Sequence, residues 1–213
     1  FLFLFSIIPV TILIGSASSV INILLIDLSF IILIIFKRNF AFLKSNAIIY
    51  LSILYIYLIF NSFISLDFHQ SFLRNFGFLR MIILFAAFNY FFFEENFYKK
   101  LLKFWSITMI IVLIDVFIES FTGRNMLGFG EMYGKRIVSF FKDEPIVGGY
   151  LNSFYLLVIG FLLNELKNKK NTLIFLLAIL FIIAIILTGE RSNSIKAVLS
   201  LSLFLFFYKQ FNW

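Results

Sequence analysis

The chain has no cysteine, a single histidine, two prolines, and charged side chains at only 14% of its 213 positions. Without thiols there is no disulfide framework, no iron–sulfur ligation and no thiolate nucleophile. One imidazole, His69, is too little for a zinc or haem site, so neither a metal nor any other cofactor is expected. The scarcity of charge excludes a soluble globule, since ordinary domains carry about 25% charged residues. What fills the space is apolar: 62% of the residues are hydrophobic, 33 of them Phe, and the mean hydropathy is +1.03. The composition is that of an all-α, polytopic membrane protein. Phe and Ile at this density read as lipid-facing filler from a compositional bias, not as a stacking platform for sugars or bases.

A net charge of +7 would suggest nucleic acid in a soluble protein. Here the basic residues lie in short loops between apolar runs, where they report topology, and no nucleic-acid partner is expected. The chain begins at Phe1 inside one apolar run and ends at Trp213 just after another, with neither an initiator Met nor the basic start of a signal peptide. It is therefore expected to be a piece of a longer protein, a single transmembrane helical domain over 1–213 that is incomplete at both ends.

Apolar runs of roughly 16 to 20 residues predict membrane helices near 1–16, 20–36, 47–66, 76–93, 101–119, 148–163, 172–187 and 194–208, about eight in all. Lys37, Arg38 and Lys44 fill one loop; Lys99, Lys100 and Lys103 a second; Lys167, Lys169 and Lys170 a third; and Lys209 follows the last run. The positive-inside rule makes these cytoplasmic. The alternate loops, at 16–19, 67–75, 188–193 and the longer external loop at 120–147, then face the other side.

Charges within the runs or at their mouths are Asp27, Arg80, Asp115, Glu119, Arg191 and Lys196, and each is expected in the outward half of its helix. Asp27 would be deepest, about 10 Å in at 1.5 Å per residue. A bilayer penalises such groups by about 2.5–3.5 kcal/mol on insertion scales, so they pair with one another or line a hydrated chamber. Both readings stand: a polar chamber, or structural ties of Asp27 and Asp115 to Arg80 or Lys196.

The segment Thr188-Gly-Glu-Arg-Ser-Asn-Ser-Ile-Lys196 places its polar groups between two nearly unbroken apolar runs. Arg191 and, in the long loop, Arg136 are each explicable as interfacial anchors for lipid phosphates. Together, at helix mouths on one side, they are candidates to converge on a single anion, for which planar bidentate guanidinium suits phosphate or pyrophosphate. Glu190, Ser192 and Lys196 would share that pocket, with the N–H groups of the helix opening at Ser192 adding to it. Asp143 and Glu144 stand before Pro145, where a carboxylate either caps the coming helix or joins the pocket. Gly128, Gly130 and Gly134 give G-x-G-x-x-x-G, one residue off a dinucleotide fingerprint and with no preceding strand, so they read as turns. His69 is a solvated loop residue or a general base, and the four-residue spacing of Ser192 and Lys196 excludes a Ser-x-x-Lys acylation motif.

Arg136-Ile-Val-Ser-Phe-Phe-Lys-Asp-Glu-Pro145, followed by Gly148-Gly-Tyr-Leu151, resembles the R-x-x-G-x-F-x-[DN]-[EP] segment of the bacterial O-antigen polymerase and O-antigen ligase superfamily. Thr188 to Asn193 resembles that family's T-x-S/E-R-x segment, and Asp115 to Gly128 and Arg74 to Arg80 look like its preceding parts. The resemblance covers the chain from about residue 65. It implies a glycosyltransferase of the bacterial inner membrane, working on the periplasmic face in O-antigen or surface polysaccharide synthesis. Glycan would leave an undecaprenyl-pyrophosphate carrier for a second lipid-linked glycan or for lipid A-core, without metal or nucleotide sugar. The family's two recurrent arginines map to Arg136 and Arg191, with Arg80, Glu190, Ser192, Lys196, Asp143 and Glu144 around the substrate. Its principal histidine belongs to a later periplasmic loop, a position His69 does not match. The competing expectations are a transporter or flippase for a lipid-linked or anionic solute, and a non-enzymatic subunit binding membrane lipid headgroups.

Overall fold

The structure, a computed structural model, describes residues 1–38, 40–92, 95–130, 136–142, 144–166 and 171–211. Among them there is no strand. Ten α-helices follow one another: α1 (Leu2–Ser6), α2 (Ile8–Ile14), α3 (Ser16–Lys37), α4 (Asn46–Ile64), α5 (Phe68–Phe76), α6 (Leu79–Phe92), α7 (Glu95–Thr122), α8 (Val147–Leu166), α9 (Asn171–Leu187) and α10 (Arg191–Phe211). Ile and Phe are poor helix formers in water. In hydrocarbon, a segment that satisfies its own backbone has no rival, which is why β-branched runs become helices here.

Among the described residues five helical stretches are long and apolar enough to cross a membrane: Ser16–Lys37, Asn46–Ile64, Phe68–Phe92 (α5 and α6 taken together), Asn96–Thr122 and Val147–Leu166. The other three expected spans are also helical but differ in kind. Pro9, which lacks an N–H, sits where the first run is divided into α1 and α2. α9 is apolar but short at 17 residues, and α10 opens with the polar Arg191–Lys196 stretch. Large side chains such as Phe36, Phe60, Ile64 and Ile35 are more than half exposed, a surface suited to lipid and not to water. The chain thus has the helices of a multi-pass membrane protein.

Two expectations about boundaries change. The stretch 67–75, expected as a loop, is mostly helix α5: the Asp67 side chain caps it by accepting the Gln70 N–H at 3.0 Å, and Phe68, Phe72 and Phe76 stack along one face. Asn75 donates to the Leu58 carbonyl at 2.9 Å and to Ser62 Oγ at 2.8 Å, binding α5 to α4. His69 is therefore helical. At the other end of the chain's first long helix, α3 begins at Ser16, earlier than the apolar run, and Asp27 stands near its middle instead of in one half. The preceding Gly15 has φ +144°, a break that favours glycine.

By contact the chain forms two units, Phe1–Ile12 with Ser16–Leu101, and Leu13–Gly15 with Leu102–Trp213. In the first, α3 packs along α6, where Ala86 and Ala87 allow close approach. Its core is aromatic: Phe5 meets Phe88, Phe91 and Phe97, while Phe30 meets Phe42, Tyr90 and Phe91. Asn22 ties α3 to α1 by donating to the Leu4 carbonyl at 3.1 Å.

In the second unit α8, α9 and α10 pack on one another around Tyr155, Phe181, Ile185 and Ala197. Tyr155 is fully buried, and its hydroxyl donates to the Ala197 carbonyl at 2.6 Å beside Ser200 Oγ at 2.7 Å. This polar seam joins α8 to α10 inside an otherwise apolar bundle.

Candidate functional site

The second unit gathers its polar groups where α8 and α10 begin and α7 and α9 end. α9 closes on Gly189, whose φ of +77° is the left-handed conformation that terminates many helices. The Gly189 N–H reaches back to the Ile186 carbonyl at 3.1 Å, and buried Thr188 gives its hydroxyl to Ile185 at 2.7 Å. After one residue, Glu190, the chain enters α10 with Arg191 at its first position.

Arg136 arrives from the long loop, which α7 holds with two carboxylates one turn apart. Glu119 accepts the Val138 N–H at 3.0 Å and the Ser139 N–H at 2.6 Å. Asp115 accepts the Ser139 hydroxyl at 2.6 Å and the Met126 N–H at 2.8 Å. Asn125 completes the framework: its amide donates to the Ser139 carbonyl at 2.6 Å while its oxygen takes the N–H groups of Leu127 and Phe129. Asp115, Glu119, Asn125 and Ser139 are all buried. Buried carboxylates that accept several N–H and O–H donors satisfy the condition on which charge is tolerated away from water. Asp115, expected as a tie to Arg80 or Lys196 or as part of a chamber, is instead bonded to the loop. Ser139 has φ +49° at the place where the resembled segment carries glycine, and its bond to Asp115 helps hold a conformation that a side chain disfavours.

Arg136 and Arg191 line one open cavity of about 590 Å³ together with Gly189, Glu190, Ser192 and Asn193. Arg136 also borders a neighbouring cavity of about 320 Å³, lined by Glu119, Ser120, Gly123, Gly130, Ile137 and Leu187. The Arg136 chain passes beside Gly189, 3.9 Å from where a Cβ would stand. Both guanidinium-bearing residues are exposed at the cavity, as is Ser192.

Glu190 lines the same cavity, and both its carboxylate oxygens are hydrogen-bonded. Oε1 accepts the Gly148 N–H at 2.8 Å; Oε2 accepts the Gly149 N–H at 3.2 Å and the Asn193 side-chain amide. The start of α8 is thus capped by the residue that precedes α10. Pro145 lies ahead of the helix, which begins at Val147, and Glu144 is exposed and outside the cavity lining. Asp143 lies outside the described residues, as do Gly134 and the Lys167, Lys169 and Lys170 loop. Lys196 is exposed on α10 beyond the cavity lining.

Arg80 belongs to the first unit. There the Arg80 charge acts on Asp27, whose two buried oxygens have no hydrogen-bond partner, and the Arg80 Nε is likewise buried and unpartnered. The two residues therefore interact through charge alone, and the expected tie is not made by a hydrogen bond. The predicted site is therefore divided: Arg136, Arg191, Glu190 and Ser192 meet at one cavity, while Arg80, Glu144 and Lys196 do not line it.

The contacts that sequence reading missed are those of Asn125, Ser139, Gly148 and Asn193. Their signals were a turn-rich stretch after an i, i+4 pair of acids, and a double glycine at a helix start. What the cavity offers chemically is two planar cations, a hydroxyl and a side-chain amide on an open polar surface, a donor set for an anion with several oxygens. Compared with protein-family models, curated proteins and solved structures, the chain matches none, so the reading of this cavity rests on its own residues.

Proposed function

We propose that the chain is the membrane-embedded part of a glycosyltransferase that polymerises or ligates glycan carried on undecaprenyl pyrophosphate, at the periplasmic face of a bacterial inner membrane. The observation that carries this reading is the shared cavity of Arg136 and Arg191, two arginines far apart in sequence, which the resemblance would equate with the family's recurrent pair. Departure of a lipid diphosphate calls for dispersed positive charge fixed in advance, and removing one such donor typically costs about a hundredfold in rate. Arg136 and Arg191 would hold the diphosphate, with Ser192 and Asn193 donating beside them. The volume suits a small ligand: cavities of about 300–1,000 Å³ accommodate molecules of drug size. The acceptor is a second lipid-linked glycan or lipid A-core. Eight crossings, with the basic loops in the cytoplasm, would bring the Arg136 and Arg191 cavity to the periplasmic side.

Transfer itself is the test. The full-length protein, purified in detergent, is given a lipid-pyrophosphate glycan donor and its acceptor in the presence of a chelator. A new glycosidic product and released lipid diphosphate are expected. A protein that forms no product yet moves the donor between leaflets in vesicles is a flippase, and that result would retire the reading.

A further inference from the structure

We infer that Glu190 is a positioning residue: it latches the start of α10 onto the start of α8, and so fixes where Arg191 stands, without meeting the substrate itself. The inference rests on the diphosphate reading of the cavity given above.

The first N–H groups of any helix lack partners within it. In α8 two of them, on Gly148 and Gly149, point to the Glu190 carboxylate at 2.8 and 3.2 Å. A negative charge there also opposes the positive end of the helix dipole. The Asn193 side chain closes the ring from the first turn of α10. One carboxylate thereby joins positions 41 and 42 residues distant in sequence, and the next residue is Arg191.

The glycines fit this role. A Cβ on Gly148 would lie 2.5 Å from Thr188 Oγ1 and 2.9 Å from Glu190 Oε1. Both the carboxylate and the buried Thr188 hydroxyl, which is given to Ile185, would have to shift. A Cβ on Gly149 would crowd the Asn193 amide at 3.1 Å. With its oxygens taken by three donors, Glu190 presents its bonding capacity to α8 and Asn193 instead of to the cavity. Among the described residues its hydrogen-bond partners do not include Arg136 or Arg191, so the N–H donors of both guanidinium groups stay available to an anion.

The experiment uses the full-length protein in detergent with two measurements. Amide hydrogen exchange over the first turn of α8 reads the latch, and the affinity for inorganic pyrophosphate reads the position of Arg191. Glu190→Ala is expected to speed exchange at Gly148 and Gly149 while peptides of α3 and α9 keep wild-type protection, which shows that the fold survives. It should weaken pyrophosphate about ten- to hundredfold, the loss that goes with a charge-assisted hydrogen bond no longer well placed. Gly148→Ala, which displaces the carboxylate together with the Thr188 hydroxyl, should weaken binding at least as much, and adding Glu190→Ala to it should bring little further loss. Glu190→Gln, keeping one acceptor oxygen, should fall between. Unchanged α8 exchange in Glu190→Ala overturns the latch. Multiplying losses in the double variant, or wild-type pyrophosphate binding in Gly148→Ala alongside lost transfer in Glu190→Ala, makes Glu190 a substrate-facing group and overturns the positioning role. If the wild type binds no pyrophosphate, the diphosphate reading falls and takes the positioning role with it, while exchange still judges the latch.

Discussion

Glu119 holds Ser139 by its backbone, accepting the N–H at 2.6 Å, while Asp115 one turn earlier takes the same residue's hydroxyl at 2.6 Å. Arg136 lies three residues before this double grip. A long loop that is held close to its arginine gives that arginine a defined place before any ligand arrives, and electrostatic catalysis depends on such preorganisation.

Glu119→Ala should therefore destabilise the protein and loosen Arg136. It strands two buried N–H groups that now bond to a charged acceptor, for a loss on the order of 3 kcal/mol. Thermal unfolding in detergent should shift downward, and limited proteolysis should cut between Gly128 and Val138 faster than in the wild type.

Arg136→Ala and Arg191→Ala should each reduce glycan transfer about a hundredfold with protein levels intact. Lysine at either place should rescue poorly, because a point charge does not reproduce a planar bidentate donor. Normal long-chain glycan in cells carrying Arg191→Ala as the sole copy would remove that residue from the mechanism.

Tyr155→Phe removes only the hydroxyl that bridges α8 to the Ala197 carbonyl and Ser200 Oγ. Hydrogen bonds between membrane helices average about 0.6 kcal/mol, with a maximum near 1.7. A modest fall in unfolding temperature is expected, and Ser200→Ala on the same background should add little. Strictly additive losses would mean that the two hydroxyls act separately.

Topology is tested by reporter fusions at Asn125 and Asn168. Phosphatase activity at the first and fluorescence of a cytoplasmic reporter at the second are expected. The same side for both would end the eight-crossing arrangement.

Hydropathy made the helices legible because a bilayer leaves a 20-residue apolar run little alternative. It misjudged α5, where His69, Gln70 and Arg74 dilute the signal. The pattern there was local: Asp67 three residues before Gln70, and Phe at 68, 72 and 76, spell a capped amphipathic helix. The two arginines were legible from chemistry alone. Partners of the acids were not, since Asp115, Glu119 and Glu190 all bond to main-chain N–H groups, which every residue but proline carries and which no residue letter announces. Gly148 illustrates the same limit. Its importance comes from the absence of an atom beside Thr188, a neighbour 40 positions away in sequence.

The bond from Tyr155 to Ala197 spans 42 positions, and this has a consequence for the order in which the protein is built. When α8 leaves the ribosome its phenol has no acceptor on α10, because α10 has yet to be synthesised. Until α9 and the first turns of α10 have been made, that hydroxyl must find another partner. Assembly of this three-helix unit is therefore sealed from its last helix backward, and a nascent chain stalled before Ala197 would present α8 to quality control with the Tyr155 hydroxyl lacking its acceptor.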